Sequence, residues 1–266
     1  MDHNYTDITI LLDRSYSMMS CRQATINGFN EFIAEQRVAP GKCRVSLVYF
    51  ADTIEPQVTG IDVKEIPLLN WNTYNPNGIS TRLRDATCVS IDALGKRLEL
   101  MSEDSRPAKV LFVSFTDGHE NSSTLYEHYH MHERISHQRD KYSWKFLYLG
   151  ANQDAVGVGA IHGYQPRESI NYFSDAAGSK SIFRGLSNTV TSYRSANPQD
   201  AMSWNIAANV VKHDATLCCA NSHLLDDASY GKMTKEDFEQ AMQMQKAYAD
   251  AKHEPNCQSF TACNNS

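Results

Sequence analysis

Residues 6–17 read Thr-Asp-Ile-Thr-Ile-Leu-Leu-Asp-Arg-Ser-Tyr-Ser. Thr6 to Leu12 is a short, apolar, β-branched run, the pattern of a strand buried on both faces. It stops at Asp13, and the polar stretch after it holds two serines spaced Asp13-x-Ser15-x-Ser17. Next comes a helical pattern with Ile26, Phe29, Phe32 and Ile33 on one face, closed by Pro40-Gly41. Arg44 to Phe50 is a second strand, and Thr53 to Val58 can pair with it through a short turn. The stretch WNTYNPNGIS (71–80) is loop, and a helix with Leu83, Ala86, Val89, Leu94 and Leu98 on its apolar face follows.

Further along, KVLFVSFTDG (109–118) is the most hydrophobic strand of the chain and ends at Asp117-Gly118. A polar helix over about 125–141, a strand over 144–149 and a short helix after Gly150 follow. A strand over 169–173 and a helix over about 176–193 complete the series. Strands alternating with helices predict an α/β fold: a doubly wound, mostly parallel central sheet flanked by helices. From Asn197 the pattern changes to helix after helix. The expected organisation is therefore one domain over 1–196, a helical extension over 197–254 and a flexible tail over 255–266.

In a parallel sheet the C-terminal strand ends share one edge, where ligands bind at the topological switch point. Asp13, Ser15 and Ser17, Thr81 of GISTRLRDA (78–86), and Asp117 all fall on loops leaving that edge. Two carboxylates and three hydroxyls make a set of hard oxygens, with no thiolate or imidazole. That chemistry suits Mg²⁺ or Mn²⁺ with a vertex left open for an anionic oxygen.

DITILLDRSYSMMS (7–20), GISTRLRDA and VSFTDGHEN (113–121) resemble the von Willebrand factor A domain family with its metal-ion-dependent adhesion site. The likeness is strongest to stand-alone bacterial and bacteriophage members, through GFNEF (28–32), FLYLGANQDA (146–155) and Ser192-Tyr193-Arg194. It covers about residues 5–195. The resemblance implies a Rossmann-like fold with Asp13, Ser15, Ser17, Thr81 and Asp117 as the metal-site residues. Ser15 and Ser17 would bind directly; Thr81 and Asp117 would bind directly or through water. It also implies that Mg²⁺ captures a Glu or Asp carboxylate of a protein partner. Tyr16 stands where relatives usually carry glycine, and His119 where an acidic residue is frequent. Tyr16, Tyr74, Arg82 and His119 are the expected partner-binding rim.

Several classes of function are disfavoured. Lys+Arg 25 against Asp+Glu 31 gives a net charge of −6, without a local basic block for nucleic acid. No apolar run reaches the roughly 20 residues of a membrane span, and no secretory signal is visible. The seven cysteines, at 21, 43, 88, 218, 219, 257 and 263, read as reduced thiols of a cytoplasmic protein. His128 and His132 stand one helical turn apart but without HExxH, which makes them a solvated face rather than a zinc site. His213, Cys218, Cys219 and His223 match no zinc spacing. Gly150, Gly157, Gly159 and Gly163 form neither GxxxxGK[ST] nor GxGxxG, so helix packing is their expected role.

The favoured reading is a non-enzymatic, metal-dependent binding module. Its helices beyond Asn197 are expected to mediate homo-oligomerisation or a second contact. Two alternatives stand beside it: a Mg²⁺-dependent enzyme acting on a phosphoryl group, and an assembly protein of a phage or stress-response system.

Overall fold

A computed structural model describes residues 1–151, 153–212 and 214–224. Six strands form one sheet in the order β3-β2-β1-β4-β5-β6. They are β1 (Asp2–Asp13), β2 (Lys42–Phe50), β3 (Ile54–Asp62), β4 (Pro107–Thr116), β5 (Lys145–Ala151) and β6 (Ser169–Tyr172). All neighbours pair in parallel except β3, which runs antiparallel to β2 at the edge. Pro56 sits in that edge strand, where a missing N–H is tolerated.

The apolar runs are long because each strand feeds two cores. Ile8, Ile10 and Leu12 of β1, Leu111, Val113 and Phe115 of β4, and Leu147 and Leu149 of β5 lie on one face. Leu11, Phe112, Phe146 and Tyr148 lie on the other. This period of two is the pleat of a sheet covered on both sides. Helices α1 (Arg22–Val38) and α5 (Ala176–Ser195) contribute Phe29, Phe32, Ile182 and Phe183 to the first core. Helices α2 (Leu83–Glu99), α3 (His128–Tyr142) and α4 (Ala155–His162) cover the second face. The contact of α1 with α5 is close: a methyl group on Gly28 would lie 2.4 Å from the Phe183 ring.

Three short helices follow α5: α6 (Pro198–Ser203), α7 (Ile206–Val211) and α8 (Ala215–Ala220). Ala201, Ile206, Val210, Val211 and Leu217 belong to the same buried cluster as the central strands. Residues 198–212 and 214–224 thus pack on the sheet domain. The rest of the expected helical extension, 225–254, and the tail 255–266 lie outside the described residues, as do Cys257 and Cys263. No helix among the described residues is long and apolar enough to cross a membrane.

The edge opposite the strand C-termini is tied by two buried cations. Arg194, near the end of α5, donates to the carbonyls of Gln36, Ala39, Pro40 and Gly41 and to the Gln36 side chain, at 2.6–3.2 Å. Lys109 of β4 donates to the Arg194 and Ala196 carbonyls at 2.7 and 2.5 Å. The Gln36, Ala39, Arg194 and Ala196 carbonyls lie at helix ends, without a partner in their own helix, and those of Pro40 and Gly41 lie in the loop to β2.

Candidate metal centre

The strand order reverses direction between β1 and β4, which makes their C-terminal ends the switch point of the sheet. The register sets Leu12 beside Phe115, so Asp13 and Asp117 leave neighbouring strands side by side. Asp13 is fully buried and held at both oxygens. One accepts from the Ser15 N–H at 2.7 Å, and the other from the Thr116 hydroxyl at 2.5 Å. The Ser15 and Ser17 hydroxyls lie 3.0 Å apart, and Ser17 Oγ donates to Asp117 Oδ1 at 2.5 Å. Thr81 arrives from the loop before α2, at the opposite wall. A methyl group on Gly118 would lie 3.1 Å from Thr81 Oγ1 and 3.7 Å from both Asp13 Oδ2 and Ser17 Oγ. Oxygens of the Asp13 and Thr81 loops therefore face one point beside Gly118, whose missing side chain keeps it open, and Asp117 of the third loop joins them through Ser17. Asp13, Ser15, Thr81 and Asp117 are buried, whereas Ser17 is exposed and marks the mouth.

The donor set fits a hard divalent cation. Adjacent ligands of an octahedron with bonds of about 2.1 Å lie roughly 3 Å apart, the separation of the two serine hydroxyls. Electrostatics agree. Burial pushes the Asp13 carboxyl up from 3.8 to about 6, and burial also raises that of Asp117. The arginines flanking the site are engaged elsewhere, Arg14 with Glu55 at 2.7 Å and Arg82 with Asp85 at 2.8 Å. Among the described residues, neither site carboxylate forms an ion pair.

This gives a prediction for the metal-free protein. With the folded-state pKa of Asp13 raised, the native state holds its proton more tightly than the unfolded chain between pH 3.8 and about 6. Stability falls as pH rises through that window, and at pH 7 the cost of the buried charge is complete. Asp13→Asn is isosteric and removes the charge. It is expected to stabilise the protein in EDTA at pH 7 by on the order of 1–3 kcal/mol, read from urea unfolding. The same substitution at pH 4 should have little effect.

The rim differs from expectation at Tyr74. Tyr16 is 66% exposed and His119 is exposed, while Arg82 is half-buried with its guanidinium on Asp85. Tyr74 is fully buried and is not a rim residue. Its hydroxyl donates to the Asp13 carbonyl at 2.7 Å, and its ring packs on Tyr49 with centroids 5.6 Å apart. The loop turns inward because Arg22 donates to the Tyr74 carbonyl at 2.9 Å and also to that of Trp71, over whose ring it lies. A tyrosine in a polar, proline-containing loop reads as exposed; the arginine that draws it in comes from 52 residues away. Ile79, 92% exposed beside Ser80-Thr81, is a rim side chain the sequence reading did not select.

Several supporting residues were also missed, although they lie inside the quoted motifs. Thr116 clamps Asp13. Asn121 accepts from the Thr81 N–H at 2.8 Å and donates its own N–H to the Thr81 carbonyl at 3.2 Å. Helix α3 starts at His128 rather than near 125: Glu127 caps it in a capping box with His130, and the N–H groups of Thr124, Leu125 and Tyr126 before it donate to Asp85.

The disfavoured metal readings gain no support from the structure. His128 stacks on His162, and its Nε2 lies 2.8 Å from the Arg84 guanidinium. No group of three or more His, Cys, Asp or Glu suited to a metal occurs among the described residues. His213 lies outside them, the Cys218 thiol donates to the Val211 carbonyl, and His223 Nε2 lies 3.2 Å from the Pro166 carbonyl. Cys21, Cys43 and Cys88 are buried thiols. Gly159 serves packing, since a methyl group there would lie 2.5 Å from Ser169 Oγ, whereas Gly163, at φ +95°, ends α4 in the left-handed region.

No family model and no curated protein matches the chain. Solved structures do. Proximal thread matrix protein 1 from the mussel byssus, in a structure with a zinc-occupied MIDAS motif, is 15% identical with a TM-score of 0.48, over 70% of this chain and 46% of that one. The ArnB paralog VWA2 from Sulfolobus acidocaldarius is 16% identical with a TM-score of 0.43, over 70% of this chain and 45% of that one. Manganese-loaded TRAP protein from Plasmodium vivax is 18% identical with a TM-score of 0.45, over 68% of this chain and 72% of that one. The chain thus spans under half the length of the first two.

Proposed function

We propose that the chain is a von Willebrand factor A-type binding module in which Asp13, Ser15, Ser17, Thr81 and Asp117 hold a divalent cation, Mg²⁺ or Mn²⁺. The supporting observation is that Asp13, Ser17 and Thr81 oxygens face the point left open by Gly118, with Ser15 and Asp117 hydrogen-bonded to Ser17 beside it. When bound, the ion would supply a Lewis-acidic vertex for an anionic oxygen. The chain's own residues set the rest. Asp13 and Asp117 carry two negative charges, close to neutralising the ion, and the hydroxyls add none, so the open vertex attracts an acidic ligand. Tyr16, Ile79 and His119 are exposed side chains beside the ligand residues in sequence and would meet the partner. The proposed partner is a protein that donates a Glu or Asp carboxylate.

Residues 1–196 form the metal-binding unit in this reading, and the helices after them buttress α5 or contact a second chain. The test is a pull-down with the full chain as bait, in Mg²⁺ and in EDTA. A partner retained in Mg²⁺, released by EDTA and lost with Asp117→Ala is the expected result. Partner binding that survives both EDTA and Asp117→Ala would sink the proposal. Turnover of a phosphate ester that disappears in Asp117→Ala would favour an enzyme.

A further inference from the structure

Asp85 is fully buried on the first turn of α2, yet it is not a member of the proposed ligand set. One of its oxygens accepts from the N–H groups of Leu125 and Tyr126, both at 3.0 Å. The other accepts from the Thr124 N–H at 3.0 Å and from Arg82 Nη2 at 2.8 Å. Its backbone N–H donates to Ser123 Oγ at 3.1 Å. Four of its six hydrogen bonds therefore reach the loop that begins at Asp117. The other two, from Arg82 Nη2 and from Arg82 Nε at 3.2 Å, hold the arginine next to Thr81. Glu120 repeats the arrangement one residue away, accepting from the Arg84 N–H at 2.8 Å and from the N–H groups of Ser122 and Ser123. Asn121 completes it by clasping both backbone groups of Thr81.

We infer that Asp85 and Asn121 are positioning residues of the metal centre: they lock the Thr81 loop and the Asp117 loop into one body, and Asp85 also sequesters the Arg82 charge. The inference rests on the metal site proposed above. Loop backbone has little intrinsic order, so a buried carboxylate that accepts from three consecutive N–H groups substitutes for the ladder the loop lacks. Asp117 is eight residues before Leu125 and opens the loop that Asp85 anchors. The second role is electrostatic. Arg82 adjoins Thr81, and its guanidinium, if released, would place a positive charge beside a cation site in a partly buried setting where screening is weak.

The two roles separate by substitution. Asp85→Asn preserves shape and an acceptor for Leu125 and Tyr126, but it loses the charge that holds Arg82. Mn²⁺ binding to the full chain, followed by electron paramagnetic resonance of the free ion, is expected to weaken at least tenfold. Asp85→Asn with Arg82→Ala should recover part of that loss, a rescue that a merely structural role would not produce. Asn121→Ala, in an exposed loop, should weaken Mn²⁺ binding without a large change in the metal-free melting temperature. It keeps the test open if Asp85→Asn does not fold. Asp92→Asn, on the same helix and paired with Arg134, should bind as wild type does. Wild-type affinity in folded Asp85→Asn or in Asn121→Ala would overturn this inference alone. A wild-type chain that takes up no Mn²⁺ would overturn the metal reading and this inference with it.

Discussion

In millimolar Mg²⁺ or Mn²⁺ the wild-type chain is expected to melt roughly 5–10 °C higher than in EDTA, and Asp117→Ala is expected to lose that difference. A ligand that binds the native state alone stabilises it by about 2.7 kcal/mol at 100 times its dissociation constant. For a chain of this size each kcal/mol moves the midpoint by about 2–4 °C. The unfolded chain cannot compete for the ion, because Asp13, Thr81 and Asp117 lie far apart in sequence and meet only through β1, β4 and the loop before α2. Asp117→Ala removes one of two carboxylates and the hydrogen bond that orients Ser17. Because burial raises the Asp117 carboxyl, the metal-free variant should not itself be much less stable than wild type. The difference between the two conditions is therefore the informative quantity. Equal shifts in wild type and variant would place the ion elsewhere.

Arg194→Ala should cost about 3–5 kcal/mol in urea unfolding, the largest loss expected from any substitution outside the cores. The guanidinium serves four carbonyls and one side-chain amide oxygen at the end of α1, in a buried position. Truncation leaves those acceptors unsatisfied, each at the desolvation cost of a buried polar group. It also loosens the helix terminus that Lys109 holds from the other side. Arg194→Lys should restore only part of the loss, since an ammonium cannot span acceptors that a planar fork reaches together. A loss below about 1 kcal/mol would mean that water replaces the guanidinium at those carbonyls. Metal-induced stabilisation should persist in the variant, because the substitution lies at the opposite edge of the sheet.

The reading from sequence was strongest where one physical period dominates. Ile8, Ile10 and Leu12 alternate with Leu11 on β1, and Leu111, Val113 and Phe115 with Val110 and Phe112 on β4; such runs have few alternatives to a doubly covered sheet. Strand ends were legible for the same reason, since apolar periodicity stops at Asp13 and Asp117. Parallel topology then places those two aspartates on one edge. Loop structure was not legible. Tyr74 points inward where Arg22, on α1, captures its carbonyl, and the backbone of 124–126 is held by Asp85, on α2. Neither effect has a local signature: each depends on a side chain that becomes a neighbour only after the sheet has formed.

Sequence by itself determined the fold class and named the oxygens of the candidate site, because hydrophobic period and residue chemistry are properties of short stretches. Tertiary structure decided what those residues face: which aromatic supports Asp13 rather than meeting a partner, which arginine is withdrawn from the rim, and how 198–212 and 214–224 pack on α5. Those outcomes arise from burial and hydrogen-bond satisfaction between segments far apart in the chain. A buried donor or acceptor must find a partner, and the partner within reach is set by the packed fold rather than by adjacent residues.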